Sequence, residues 1–269
     1  MTADGPAGVV LAAGAGTRVR PLSLLRPKAM FPVGRTPLLE RALHALGGHL
    51  GTGPHRLAVN AHHLAEQVVG HVADRAHVSV EEPEALGTAG ALGALRGWLD
   101  GRGALVLNAD SYLADRDPVA TLLDGWDGHR SRLLVVRASR EPDFTDHRGG
   151  WRYVGGCLLP WSAVEGLRAE PSGLYEVLWR RQDGEGALDL VPFAGTAIDC
   201  GTPADYLRAN LHASGGHPVV GEGAQVRGTL VRSVVWDGAV VRQDEHLVDC
   251  VRAGTADEPV TVPVGRLPA

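Results

Sequence analysis

The stretch GVVLAAGAGTRVRPLSLLRPKAMFPV, residues 8–33, decides the fold. Its first seven residues, 8–14, form an apolar run of strand character, and Gly14 and Gly16 then allow a sharp turn and positive φ. A strand that delivers a glycine-rich turn, followed by Thr17, Arg18, Pro27 and Lys28, sets amide N–H groups and two cations at one end of a sheet. That combination can cradle a polyanion. Two other phosphate loops do not fit the same residues. A dinucleotide fingerprint needs a third glycine where Val19 stands, and a P-loop needs a glycine directly before the lysine, where Pro27 stands.

Outward from this stretch, further apolar runs at 56–61, 77–82, 104–110 and 132–138 alternate with PLLERALHALGGHL (37–50), HHLAEQVVGHVADR (62–75) and GTAGALGALRGWLD (87–100), whose apolar residues recur three or four apart. The rhythm is βαβ. It predicts an α/β, Rossmann-like mixed sheet, mostly parallel and flanked by helices, with a ligand crevice at the carboxyl ends of the strands. Beyond residue 140 the alternation loosens: WRYVGGCLLP (151–160) and LDLVPF (188–193) read as strands, and LYEVLWRRQ (174–182) and 203–213 as helices. SGGHP at 214–218 marks a boundary, which divides the chain into a main unit, 1–214, and an extension, 215–269.

In the extension, GEGAQV (221–226) and WDGAVV (236–241) look like copies, and Val235, Val241 and Leu247 recur every six residues. This spacing predicts a short left-handed β-helix-like extension. An irregular β-hairpin appendage is the competing reading. Two rungs are too few to stand alone, so the extension must dock on the main unit or on another subunit, which makes a homo-oligomer through the extension an expectation.

Composition narrows the class of function. The 269 residues are 44% hydrophobic and 21% charged, with no apolar run near the roughly 20 residues that span a bilayer. MTADGPAG, at the start, carries no secretory pattern, so the expected location is the cytoplasm. A net charge of -5 without a basic block gives no footprint for a nucleic acid. Cys157, Cys200 and Cys250 lie far apart and read as buried thiols rather than a disulfide framework or zinc site. Lys28 is the sole lysine among 26 lysines and arginines. At that position a compact, flexible point charge does what the broad guanidinium fork cannot.

The run LAAGAGTRVRPLSLLRPKAMFPV (11–33), with its GxGTR loop and Pro27-Lys28 pair, resembles the sugar-1-phosphate nucleotidylyltransferase (sugar-nucleotide pyrophosphorylase) family, and within it the mannose-1-phosphate guanylyltransferase-like proteins. The resemblance covers about residues 7–211. It implies that Leu11, Ala13, Gly14, Gly16 and Thr17 bind a nucleoside triphosphate, that Arg18 grips the leaving pyrophosphate, and that Lys28 neutralises charge at the α-phosphate. In EEPEALGTAGAL (81–92) it places Glu82, Gly87 and Thr88 against the base. A carboxylate at Glu82 suits the N1–H and amino group of guanine better than uracil or thymine, which favours GTP. Read alone, Glu82 is equally a solvated charge at a strand end.

The resemblance also implies a magnesium ion held by Asp110 of VLNADSY (106–112) and Asp199 of AIDCGTPADYLRANL (197–211), with Thr202 capping the helix that Pro203 opens. Asn108, Gly155 and Gly156 are its sugar-contacting residues. The Glu-Lys-Pro triplet of many members is missing, so Arg148 or Arg152 is expected to replace its lysine, or else the acceptor differs. His62 and His63 show no metal spacing and read as surface or helix-cap residues. The implied reaction transfers a nucleoside monophosphate to a sugar 1-phosphate, mannose 1-phosphate favoured, with release of pyrophosphate. Uridylyl or thymidylyl transfer to another sugar phosphate is the alternative. A rival of another class is a catalytically silent regulatory subunit that binds sugar nucleotide, but such a protein would be expected to have lost Arg18, Lys28, Asp110 or Asp199.

Overall fold

A computed structural model of the chain describes residues 5–265. The central sheet begins with β1 (Ala7–Leu11), whose residues are almost all buried, as a strand covered by helices on both faces must be. Its chain neighbours are β2 (Leu57–Ala61), β3 (His77–Val80) and β4 (Ala104–Asn108), and all four run parallel. A short strand, β5 (Ser111–Ala114), leaves the sheet, and β6 (Ser131–Arg137) returns to it. β7 (Gly149–Leu159) lies antiparallel between β4 and β6, while β8 (Leu188–Pro192) extends β6 in parallel at the edge. The order is therefore β8-β6-β7-β4-β1-β2-β3, with Phe144–Asp146 paired to β7 at the side.

Helices α1 (Leu38–Leu50), α2 (Ala65–Val72) and α3 (Gly87–Leu99) supply the crossovers. In α1 the buried positions are Leu38, Leu39, Ala42, Leu43 and Leu46, the stripe that a 3.6-residue period lays against a sheet. Two apolar clusters, one containing Val9, Val106 and Leu95 and the other Val10, Leu105 and Leu46, hold the sheet between its helices. The mostly parallel α/β architecture read from the sequence is thus present, with β7 as its antiparallel member. No helix among the described residues is long and apolar enough to cross a membrane.

One pairing was not foreseen. β9 (Thr196–Asp199) runs antiparallel to β5 in a two-stranded ribbon, with Asp199 opposite Ser111 and the Cys200 N–H bonded to the Asp110 carbonyl at 2.9 Å. The ribbon leads into α4 (Pro203–Ala213), where Thr202 Oγ1 accepts from the Asp205 N–H at 3.1 Å and Pro203 takes the first position.

The extension winds through three short parallel sheets. Val219–Val220 stacks on Val234–Val235, which stacks on Cys250–Gly254; Gln225–Val226 stacks on Val240–Val241; and Thr229–Val231 stacks on His246–Val248. Val235, Val241 and Leu247 point into the interior with Ala239 and Cys250, so the six-residue period marks inward positions. The hairpin alternative survives only at the end, where Pro259–Pro263 folds back antiparallel on Cys250–Gly254. All three cysteines are free and buried, and burial pushes the Cys157 thiol up to about 12.

Candidate active site

The carboxyl ends of β1, β2 and β4 open onto a cavity of about 200 Å³. Leu11, Ala13, Gly14, Lys28, Gly87 and Thr88 line it, as do Asn60, Asn108 and Asp110. At Gly14 a Cβ would project into open space, so bare backbone faces the cavity there. Gly16 has φ 60 and turns the loop back on itself: a Cβ there would meet Ser23 at 3.0 Å, and Ser23 Oγ donates to the Gly16 carbonyl at 2.7 Å. Thr17 and Arg18 follow on the outside, both exposed.

Lys28 is only 9% exposed, and its ammonium donates to Asp110 Oδ2. Asp110 also lines a second cavity of about 320 Å³, together with Asn108, Gly155 and Asp199. The two cavities therefore meet at Asn108 and Asp110. Asn108 lines both cavities, and its Oδ1 is buried without a hydrogen-bond partner. Arg18 stands 3.9 Å from Asp199, with Gly201 packed so closely against both that a Cβ there would lie 2.6 Å from the guanidinium. Burial, and then the Asp110 carboxylate, push the Asp199 carboxyl above the usual aspartate range, against the opposing pull of Lys28 and Arg18.

Asp199, whose ionisation the Asp110 carboxylate opposes, and Asp110 itself, with the Asn108 amide at the same junction, fit a divalent cation that draws its other oxygens from phosphate and water. Among the described residues there is no cluster of three or more acidic, histidine or cysteine groups that could hold a metal by itself. Any ion bound here must share its coordination with a ligand.

Several expected residues sit elsewhere. Glu82 is exposed and outside both cavities, because the strand ends at Val80 and it is the preceding residue that turns inward. Glu81, 2% exposed, accepts from Asn60 Nδ2 at 2.7 Å and from the Leu86 N–H at 2.7 Å, while Asn60 Oδ1 accepts from the Ala12 N–H at 2.6 Å. This chain of bonds ties the ends of β1, β2 and β3 to the start of α3. The sequence carried its signal only as the first of two adjacent glutamates, with nothing to say which faces in.

Gly155 has φ 85 and approaches Ser111 and Asn108 at the second cavity, but Gly156 packs against Leu107 and Leu134 in the sheet interior. Arg148 is committed to Asp146 and to the Leu190 carbonyl, away from the cavity. Arg152 does line it, joined by Arg208, a cation on α4 that the sequence reading passed over and that pairs with Asp205 at 3.0 Å. His62 and His63 are half-buried ties rather than surface groups: their ring nitrogens donate to the Glu81 and Ser23 carbonyls at 2.9 and 2.7 Å.

Gly87, with φ 70, lies where a Cβ would come within 2.6 Å of the Ser172 carbonyl oxygen, which accepts from the Ala89 N–H at 3.0 Å. Thr88 faces the cavity and also accepts from the Leu174 N–H at 2.9 Å, so it anchors the loop that closes over α3.

The chain is similar to several known proteins. An N-acetylmuramate alpha-1-phosphate uridylyltransferase from Caulobacter vibrioides is 30% identical over 75% of this chain and 94% of its own length. A Sulfolobus acidocaldarius protein, provisionally named a mannose-1-phosphate guanyltransferase, is 26% identical over 76% of this chain and 62% of its own length; the chain thus spans less than two thirds of that relative. Among solved structures, one described as a mannose-1-phosphate geranyltransferase from Thermus thermophilus superimposes with a TM-score of 0.70 at 22% identity, over 96% of this chain and 95% of its own, a likeness of fold. A family profile, the MobA-like NTP transferase domain, matches residues 8–233, so the chain belongs to the MobA-like NTP transferase family.

Proposed function

We propose that this protein transfers a nucleoside monophosphate from a nucleoside triphosphate to a sugar 1-phosphate. The carrying observation is that two cavities meet at Asp110, where Lys28 and Asp199 converge. A phosphate oxygen of the acceptor attacks the α-phosphorus in line, the bond from the α-phosphorus to the bridging oxygen breaks, and pyrophosphate leaves. The nucleophile is already anionic, so no general base and no covalent intermediate are needed; catalysis reduces to alignment and charge stabilisation. Leu11, Ala13, Gly14, Gly87 and Thr88 hold the triphosphate and its base, Lys28 meets charge growing at the α-phosphate, and Arg18, beside Asp199, receives the departing pyrophosphate. Asp110 and Asp199 are the magnesium ligands of this reading, and the ion would supply further neutralisation of the phosphates.

The acceptor occupies the second cavity, with Asn108 and Gly155 against the sugar and Arg152 and Arg208 in place of the missing lysine. GTP with mannose 1-phosphate is the first pair to test, in keeping with the names of the guanylyltransferase relatives; UTP with an N-acetylated sugar 1-phosphate is the second, in keeping with the Caulobacter relative. The catalytic unit is residues 1–214 and the extension 215–269, of which 1–4 and 266–269 lie outside the described residues. Pyrophosphate release across the four nucleoside triphosphates and a panel of sugar 1-phosphates tests the proposal. Turnover of at least one pair is expected; nucleotide binding without turnover of any pair would favour a regulatory role.

A further inference from the structure

The loop that carries Lys28 is gripped on both sides by the extension. Two residues before Lys28, the Arg26 guanidinium lies 4.9 Å over the Trp236 ring and 3.5 Å from the Asp237 carboxylate. Three residues after it, the fully buried Phe31 ring meets Trp236 edge-on at 4.9 Å and Tyr206 at 5.2 Å. A chain of hydrogen bonds closes the grip: Trp236 Nε1–H donates to the Tyr206 hydroxyl at 3.0 Å, and that hydroxyl donates to the Pro32 carbonyl at 2.6 Å. Asn210, one turn further along α4, donates to the same carbonyl at 3.3 Å and accepts from the Gly34 N–H at 3.0 Å.

Trp236 and Asp237 are not loosely attached. Asp237 Oδ1 accepts from the Glu222 N–H at 3.0 Å, across one turn of the coil, and a Cβ on Gly221 would lie 2.4 Å from that oxygen. Trp236, Phe31, Tyr206, Val234 and Val251 share one apolar cluster, so the coil and the Lys28 loop are packed as a single body.

The geometry points to Trp236 and Asp237 as positioning residues for Lys28, which makes the extension part of the catalytic frame rather than a separable appendage. The inference rests on the reading of Lys28 as the cation at the α-phosphate. Tyr206 belongs to the helix that follows Asp199, so the Trp236–Tyr206–Pro32 bonds set the ammonium against the metal-side carboxylates. An ammonium displaced by about 1 Å is enough to cost a large factor in rate.

Because Lys28 is the sole lysine, its environment can be read without knowing the substrate. The rate at which an N-hydroxysuccinimide ester acylates Lys28, followed by mass of the peptide that carries it, reports how firmly the ammonium is held against Asp110. In the full-length protein, Trp236→Ala and Asp237→Asn are expected to raise that rate several-fold over the parent. Trp236→Phe, which keeps the ring contacts and loses the hydrogen bond, should fall between them and the parent. Val248→Ala, on an exposed face of the same coil, should match the parent.

With a turned-over substrate pair, the same Trp236 and Asp237 variants should lose kcat well below their melting temperatures while KM for the acceptor holds, a split that loss of stability alone does not produce. If Trp236→Ala fails to fold, Asp237→Asn and Trp236→Phe carry the test. Folded variants that acylate at the parent rate would overturn the inference, whereas absence of turnover in the parent would overturn only the functional reading.

Discussion

Lys28 and the two aspartates around it bring opposite charges to the junction of the two cavities. Replacing Lys28 by alanine removes the buried cation at the junction of the cavities, and kcat is expected to fall by about 10²–10³-fold, the usual cost of deleting a group that meets developing charge. Steady-state pyrophosphate release at saturating substrates checks this, with the melting temperature changing far less in proportion. Asp199 carries the opposite bias. Its carboxyl is raised above the ordinary value, so the folded state disfavours the ionised form: the cost is absent where both states are protonated, grows as pH climbs past the ordinary aspartate value, and is complete above the raised one. Asp199→Asn should therefore raise the melting temperature in metal-free buffer at pH 7 by roughly one or two degrees, discounted because the side chain is more than half exposed, and the gain should vanish at strongly acid pH. Thermal scans at both pH values check the sign, and activity should be lost in the same variant. These residues were legible because each stands in a motif with a fixed offset from a strand. Glu81 and Glu82 were not separable, since which of two adjacent carboxylates points inward depends on where β3 stops pairing.

The β5–β9 ribbon does what neither segment shows alone. VLNADSY reads as a strand end with an acid and AIDCGTP as the approach to a helix, and only the antiparallel register of Asp199 on Ser111 brings the two acids to one place. The parallel core was readable from continuous apolar runs alternating with segments of helical period, but a two-stranded ribbon formed between segments so distant in sequence leaves no local pattern. The same limit hid the role of the glycines in α3. Gly87 reads in the sequence as a base contact, and Gly90 and Gly93 only as members of a helix, yet all three let the loop at 168–172 lie against its backbone. At Gly90 a Cβ would stand 2.2 Å from the Glu170 carbonyl oxygen. Alanine in a helix interior normally stabilises by up to about 1 kcal/mol over glycine; here Gly90→Ala is expected to destabilise by about 1–3 kcal/mol, because backbone must shift to admit it. Urea unfolding of the variant gives the sign directly.

Taken whole, the molecule is a parallel sheet whose strand ends open on one cavity, a ribbon that joins it to a second, and a coil packed behind the loop that holds the cation. The six-residue period foretold the inward valines of the coil, but not that Trp236 and Phe31 would share a core, since packing between units distant in sequence is set by shape rather than by repeat. The chemistry this assembly performs is most directly tested by following an isotope through one turnover. The enzyme is mixed with a nucleoside triphosphate labelled at the α-phosphorus, with magnesium and the best acceptor of the panel. The label is expected to appear in a sugar nucleotide while unlabelled pyrophosphate is released in equal amount; label retained in triphosphate, released as free monophosphate, or trapped on the protein would contradict the account.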